Sequence, residues 1–402
     1  MNPNRIQWVP QSRQRGFTLV ELLVSIALGL AVLMAMASVY VAAKQTFRFQ
    51  ETSGRMQEDA NFALDTIAKD LRLAGYAGCM GVDTVTVGAT TTTYPQMGLA
   101  ASPTAITGPN PLGTVFAGMS AAEVAMRTQP LAPANIIRGW DSIPSAMFAS
   151  SAPSYSYTDA LYFAGASNKA VGVTVVMASA TADVTIAADP NSWANKDYYF
   201  VASDCRKSSL FVGRVPAAGT SIAHGTGLGN AAANFPSSAL YGVDTVVAPV
   251  EWNFYYAAKR TGASSASLYR VNYDGNARDG TPLEIVANVE TLKFHYGENL
   301  KGKDTATNAV CTIATGGATC APTYQADTWR TTAAGVTDWS RVVAVRIGLM
   351  MLSADEAVNS DIAAPALTLL GAAYTVPVDA VGNRVRKEFS TTVVLRNRVP
   401  AR

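Results

Sequence analysis

The stretch FTLVELLVSIALGLAVLMAMASVYVAA, residues 17–43, decides how the rest of the chain is read. Residues 22–43 are 22 consecutive uncharged positions. As a helix rising 1.5 Å per residue they extend about 33 Å, enough to cross a hydrocarbon core of about 30 Å. A helix buried in a soluble core rarely runs so far without a charge, so the stretch predicts a membrane span. One acid, Glu21, stands near its start. A carboxylate inside a bilayer costs about 2.5–3.5 kcal/mol on insertion scales, so Glu21 either sits in the wet interface or serves a function.

The flank is MNPNRIQWVPQSRQRG (1–16), with Arg5, Arg13 and Arg15 and no acid. A secretory signal peptide would have a shorter apolar region followed by a small-residue cleavage site. Here the small residue, Gly16, precedes the apolar run and directly follows Arg15. Arg15 and Gly16 followed by FTLVELLVSIALG resemble the class III signal of type IV prepilins and type II secretion pseudopilins. The resemblance implies that an inner-membrane prepilin peptidase cuts between Gly16 and Phe17, on the cytoplasmic side, and N-methylates Phe17. It also implies a filament-assembly role for Glu21, which becomes the fifth mature residue. The physics agrees. The cut leaves a cationic amine at the start of a helix, and staggered packing of such helices lets Glu21 meet a neighbour's amine. Opposite charges attract more strongly in that low-dielectric bundle, although desolvation offsets part of the gain.

The helical pattern continues through KQTFRFQETSGRMQEDANFALDTIAKDLRLAG (44–75). Phe49, Met56, Ala60, Ala63, Ile67, Leu71 and Ala74 recur at helical spacings as one apolar stripe. Gly75 is placed to cap the helix and Gly54 to bend it. Residues 17–74 would extend about 87 Å if continuous. The expected organisation is a leader at 1–16, a membrane and filament-core half-helix at 17–44, an amphipathic half-helix at 45–74, and a head at 75–402.

After Gly75 the periodicity changes. Residues 81–155 read as loops with short strands and one short helix at 120–127, where Ser120 and Glu123 form a capping box. Strand patterns then dominate. They are DALYFAG (159–165), AVGVTVVMA (170–178), DYYFVAS (197–203), SLFVG (209–213), TVVAPVEWNFYYAA (245–258), SASLYRVNY (265–273), NVETLKFHYG (288–297), RVVAVRIGLMML (341–352) and EFSTTVVLRN (388–397). Asp274–Gly275 and Gly382–Asn383 are turn signals between them. The fold class is α+β: a long N-terminal helix, membrane-spanning in its first half, packed on a large, mainly antiparallel β head, as in type IV pilins. The strings DLRLAGYAGC (70–79), IIRGWD (136–141), VETLKFHYG (289–297), WSRVVAVRIGLMMLS (339–353) and FSTTVVLRNR (389–398) resemble PilW-type minor pilins. They are also similar to J-type minor pseudopilins of type II secretion.

A periplasmic head lies in oxidising surroundings, where disulfides persist. The cysteines are Cys79, Cys205, Cys311 and Cys320, which allow three pairings. The short loop TIATGGAT between Cys311 and Cys320 favours a local bond, leaving Cys79 to pair with Cys205. Free buried thiols are the alternative.

Other signals resemble catalytic or binding motifs without meeting their requirements. GENLKGKD (297–304) matches the start of a phosphate loop, but Asp304 stands where Ser or Thr should bind magnesium, and no helical pattern follows. GTGLGN (225–230) lacks a βαβ frame, so it reads as a flexible loop. YDGNARDG (273–280) offers Asp274, Asn276 and Asp279 as calcium ligands but lacks the distal Glu, and reads as a hairpin turn. The only histidines are His224, in a Gly-rich loop, and His295, in a strand pattern, leaving little room for a Ser-His-Asp site. No cysteine pair has C-x-x-C spacing, so no metal site is expected, and no cofactor. The chain does not read as an enzyme.

The 49% apolar and 15% charged composition excludes a disordered chain. The net charge of +2 comes from 31 basic and 29 acidic residues; removing the three leader arginines gives 28 − 29 = −1. With no basic excess and no basic stripe interleaved with aromatics, nucleic acid is not an expected partner. The resemblance implies a minor pilin that helps prime pilus assembly in a tip complex. Its partners would be prepilin peptidase, other minor pilins, the major pilin and a tip adhesin. It would be held in the inner membrane by one span with a periplasmic head, and then enter the pilus. A type II secretion pseudopilin is the nearest alternative. A membrane-anchored periplasmic adhesin or binding protein outside any filament is another.

Overall fold

The computed structural model describes residues 16, 18–78, 83–87, 90–94, 96–97, 130–143, 158–188, 193–204, 206–228, 230–232, 235, 240–260, 263, 265–273, 282–313, 320–356, 366–376 and 384–398. Phe17, Cys79, Cys205, the 120–127 capping box and the turns at 274–275 and 382–383 lie outside them. The chain divides into two units, Met1–Arg55 and Met56–Arg402.

Helix α1, Leu19–Leu71, runs for 53 residues and crosses both units. It passes through Gly54 without a break. In the first unit every described residue of α1 through Glu51 is exposed. In the second unit one face is buried: Met56, Ala60, Ala63, Leu64, Ile67, Ala68 and Leu71. Phe49, expected on that stripe, is 56% exposed. It lies seven residues, almost two full turns, before Met56, where the buried face begins. After α1 the chain turns at Gly75, whose φ of +72° is the left-handed conformation of a glycine cap. Its N–H donates to the Ala164 carbonyl at 2.8 Å.

The head is a β structure. Its principal strands are β1 (Ile137–Trp140), β2 (Ala160–Ala166), β3 (Lys196–Ser203), β4 (Ser208–Val215), β5 (Ser221–His224), β6 (Val246–Ala258), β7 (Ser267–Tyr273), β8 (Leu283–Ala287), β9 (Val289–Glu298), β10 (Lys301–Asp304), β11 (Val310–Thr312), β12 (Cys320–Pro322), β13 (Thr328–Arg330), β14 (Val342–Glu356) and β15 (Arg384–Val394). The largest sheet runs β8-β7-β6-β3-β4-β5 and ends on Val184–Thr185. β6 is long enough to pair β3 near its start and both β2 and β7 near its end. A second sheet has the order β13-β9-β14-β15, and a small third one β11-β10-β12. These ladders are antiparallel, as expected.

Alternation along the strands assigns side chains to separate cores. Tyr255 and Ala257 of β6, with Leu161 and Phe163 of β2, join a core with the buried face of α1 and the inner residues of β9 and β14. Trp252, Phe254, Tyr256, Tyr162 and Ala164 point the other way into a second core. A third, around Trp193, Tyr198, Phe200, Phe211, Phe235 and Tyr241, fills the far part of the large sheet.

One expected strand is mostly absent. In AVGVTVVMA (170–178) only Val171–Gly172 is a strand, with an isolated bridge at Val173. Val175 and Val176 are 54% and 60% exposed. The β-branched run reads as a strand, but strand propensity records fit to a half-buried pleated surface, and this run leaves the sheet after Val173.

Candidate assembly site

The start of α1 is built by local chemistry. The Thr18 carbonyl accepts the Leu22 N–H at 3.2 Å, the first turn of the helix. The Thr18 Oγ1 accepts the Glu21 N–H at 3.3 Å, satisfying a donor that the helix leaves free. Thr18 is therefore the N-cap, with Glu21 as the acidic third residue of a T-x-x-E pattern. The sequence reading noticed such a pattern at Ser120 and missed this one, although the signal is identical.

Beyond Glu21 the hydroxyls of Ser25, Ser38 and Thr46 are satisfied by the helix's own carbonyls. Ser25 Oγ donates to the Glu21 carbonyl at 2.7 Å, and Ser38 Oγ to the Ala35 carbonyl at 2.8 Å. Thr46 Oγ1 donates to the Ala42 carbonyl at 2.9 Å. Such back-bonding lets hydroxyls sit in hydrocarbon without an unpaired donor. The apolar window is long enough to cross a membrane, and none of it is buried inside the protein. Leu19, Leu28, Leu33 and Met34 are each more than 60% exposed. The carboxylate of Glu21 has no hydrogen-bond or ion-pair partner among the described residues. Gly16 immediately precedes this motif and is exposed.

At the other end of α1, segments far apart in sequence converge. Asp70 accepts the Tyr255 hydroxyl at 2.6 Å and pairs with Arg270 Nε at 3.1 Å. Ile136 packs beside Gly75, where a Cβ would lie 3.2 Å from Ile136 Cδ1. Asn397 Nδ2 donates to the Arg72 carbonyl at 2.8 Å, closing the C-terminal turn with a residue 325 positions away. Next to it, buried Arg398 donates to the carbonyls of Trp339, Val342 and Pro133. All five family-like strings thus contribute to the α1 end or to the core and clasps around it. Asn397 and Arg398 stand in one of those strings, but no local pattern reveals their distant partners.

Cys311 and Cys320 are bonded, as expected. The phosphate-loop match falls on the end of β9 and on β10, with no helix following among the described residues. His224 has partners that its Gly-rich surroundings did not disclose. Its Nε2 lies 2.9 Å from the Ala182 carbonyl, and its ring packs edge-on against Phe235. His295 lies opposite Arg346 in the β9–β14 ladder. Burial, then Arg346 and Lys293, lower its pKa. Among the described residues, no group of three or more His, Cys, Asp and Glu side chains could hold a metal.

Comparison with known proteins agrees with this geometry. Residues 254–397 match the family described as Type IV Pilus-assembly protein W, and residues 11–37 match the prokaryotic N-terminal methylation motif. No curated protein matches the chain. Among solved structures, a type IV-like pilin from Thermus thermophilus matches at 15% identity with a TM-score of 0.16. The match covers 37% of this chain and 66% of that one, and adds nothing to the argument about shape. The apolar helix, the antiparallel β head and the methylation-motif match are together type IV pilin-like. The match across β6–β15, over 144 of the 402 residues, narrows the likeness to the PilW type. That family is structural, not enzymatic.

Proposed function

We propose that the chain is a minor pilin, processed by prepilin peptidase between Gly16 and Phe17 and N-methylated on Phe17. It is then held in the inner membrane by residues 17–44, with 75–402 as a periplasmic head and 45–74 as the amphipathic half-helix beneath it. From there it enters a type IV pilus and helps prime assembly in a tip complex with other minor pilins. The major pilin and a tip adhesin complete the set of partners.

One observation carries the reading: the Glu21 carboxylate has no partner among the described residues, on a helix whose membrane-length apolar window is not buried inside the protein. A lone carboxylate is unfavourable in lipid, and a neighbour's N-terminal amine in a helical bundle answers its charge. The head supports a tip position, because a 328-residue head (402 − 74) is awkward to repeat along a filament. The same reading assigns a Cys79–Cys205 disulfide. Gly78 and Ser203, close to the two cysteines in sequence, abut each other.

The test is Glu21→Ala, followed by fractionation of membranes and sheared pili. Leader cleavage should be largely intact while the variant is depleted from the pili. Incorporation at the wild-type level would contradict the assembly role.

A further inference from the structure

The β10–β11 hairpin and β12 form an arm that is exposed along most of its length, from Lys301 to Thr312. It adds little to any core, yet three devices hold it. The Cys311–Cys320 bond joins β11 to β12. At the hairpin tip, Asp304 Oδ1 accepts the N–H groups of Ala306 and Thr307 at 3.0 and 2.8 Å, and Asn308 takes the left-handed conformation. At the base, buried Asn299 donates through Nδ2 to the carbonyls of Lys301 and Gln325, while Asp327 Oδ2 accepts the N–H groups of Leu300 and Lys301. A segment so exposed and so fully held is ordered before any partner arrives, which lowers the cost of binding.

Its outward face has a definite chemistry. Alternation puts Lys301 and Lys303 on one side of β10, opposite Thr312 and Val310 of β11 and beside Ala321 of β12. All five are exposed, and Val310 is 73% exposed. Neither lysine has an ion-pair partner among the described residues. The disulfide loop TIATGGAT has no acid, and Asp304 is engaged in the tip turn. One face of the arm thus carries two lysines, with Asp304 at the tip the arm's acid, so the arm is net +1 on a mature chain whose formal balance is −1.

We infer that this face is a docking surface for an acidic strip on a neighbouring assembly subunit, with carboxylates about 7 Å apart to match lysines two residues apart on a strand. The identity of the neighbour as an assembly subunit rests on the proposed function; the acidic chemistry does not.

The experiment compares three full-length chains: wild type, Lys301→Glu with Lys303→Glu, and Lys301→Arg with Lys303→Arg. In cells, the Glu pair should fall about tenfold or more in sheared pili relative to its membrane pool. The Arg pair should stay near wild type, and both should keep the Cys311–Cys320 bond by non-reducing peptide mapping. Wild-type incorporation of the Glu pair overturns the proposal. In a second arm, each full-length chain in zwitterionic micelles is titrated with a labelled peptide of alternating Glu and Thr. Wild type should bind about threefold or more weakly when salt rises from about 50 to about 300 mM, and the Glu pair should not bind. No binding by wild type overturns the proposal, as does preferential binding of an oligonucleotide or of phosphatidylglycerol vesicles. If wild type is absent from pili altogether, the minor-pilin reading fails, while the peptide arm still decides the chemistry.

Discussion

Glu21 divides its work between backbone and side chain. Its N–H is taken by Thr18, so the helix start is satisfied locally, while its carboxylate has no partner among the described residues, and the proposed function gives it one on a neighbouring subunit. On that proposal, charge rather than the presence of a side chain is what assembly uses. Glu21→Gln, nearly equal in size, should behave like the Ala variant in sheared pili, and Glu21→Asp should retain part of the wild-type level. Quantitative blotting of pili against membranes measures both. Equal incorporation of Gln and wild type would show that charge is irrelevant. The residue stands out as a candidate in the sequence because its signal, the Gly16–Phe17–Glu21 register, is local. Asn397 and Arg398 could not be assigned their clasping roles that way. Asn397 caps a helix 325 residues earlier, and Arg398 answers carbonyls on two other segments. Asn397→Ala should destabilise the head by about 1 kcal/mol through loss of a helix-end hydrogen bond. Urea denaturation of the full chain in micelles reads the change.

At the scale of the element, α1 is one helix with two solvents. The spacing of Met56, Ala60, Ala63, Ile67 and Leu71 was enough to draw the buried face. The same spacing extended the stripe to Phe49, which is exposed. Periodicity identifies a face but not where its cover begins. Ile67 is fully buried in the core shared with β9 and β14. Ile67→Ala should cost about 2–5 kcal/mol by lost burial and a residual cavity, visible as a lower denaturation midpoint. A variant as stable as wild type would mean that this face is not packed as described. In the β head, TVVAPVEWNFYYAA and NVETLKFHYG were legible as strands, because strands packed on both faces are long and rich in aromatic and branched residues. The arm of β10, β11 and β12 was not, since its strands are three or four residues long and expose most of their side chains.

For the whole molecule, the two large sheets are clasped at β2 and β9. Just before β2, the Asp159 N–H donates to the Leu292 carbonyl at 2.8 Å. Its buried carboxylate accepts the Phe294 N–H at 2.9 Å and the Lys293 ammonium at 2.5 Å. Burial raises its pKa to about 6; Lys293 and the Phe294 N–H pull it down, and Asp141 pushes it up. Between pH 3.8, the ordinary value, and about 6, the folded chain holds this proton more tightly than the unfolded chain does. This group's contribution to stability therefore rises as pH falls through that window, by about 3 kcal/mol. Denaturation midpoints of wild type and Asp159→Asn across that range isolate the term, which should vanish in the variant. An unchanged pH profile would contradict the clasp's titration.

The central claim is that this chain is a cleaved, methylated pilin rather than a permanently anchored protein. Mass spectrometry of the mature N-terminal peptide, from cells that contain prepilin peptidase, tests it most directly. The account predicts a chain that starts at N-methyl-Phe17, with residues 1–16 gone. A peptide that still joins Gly16 to Phe17 would contradict it.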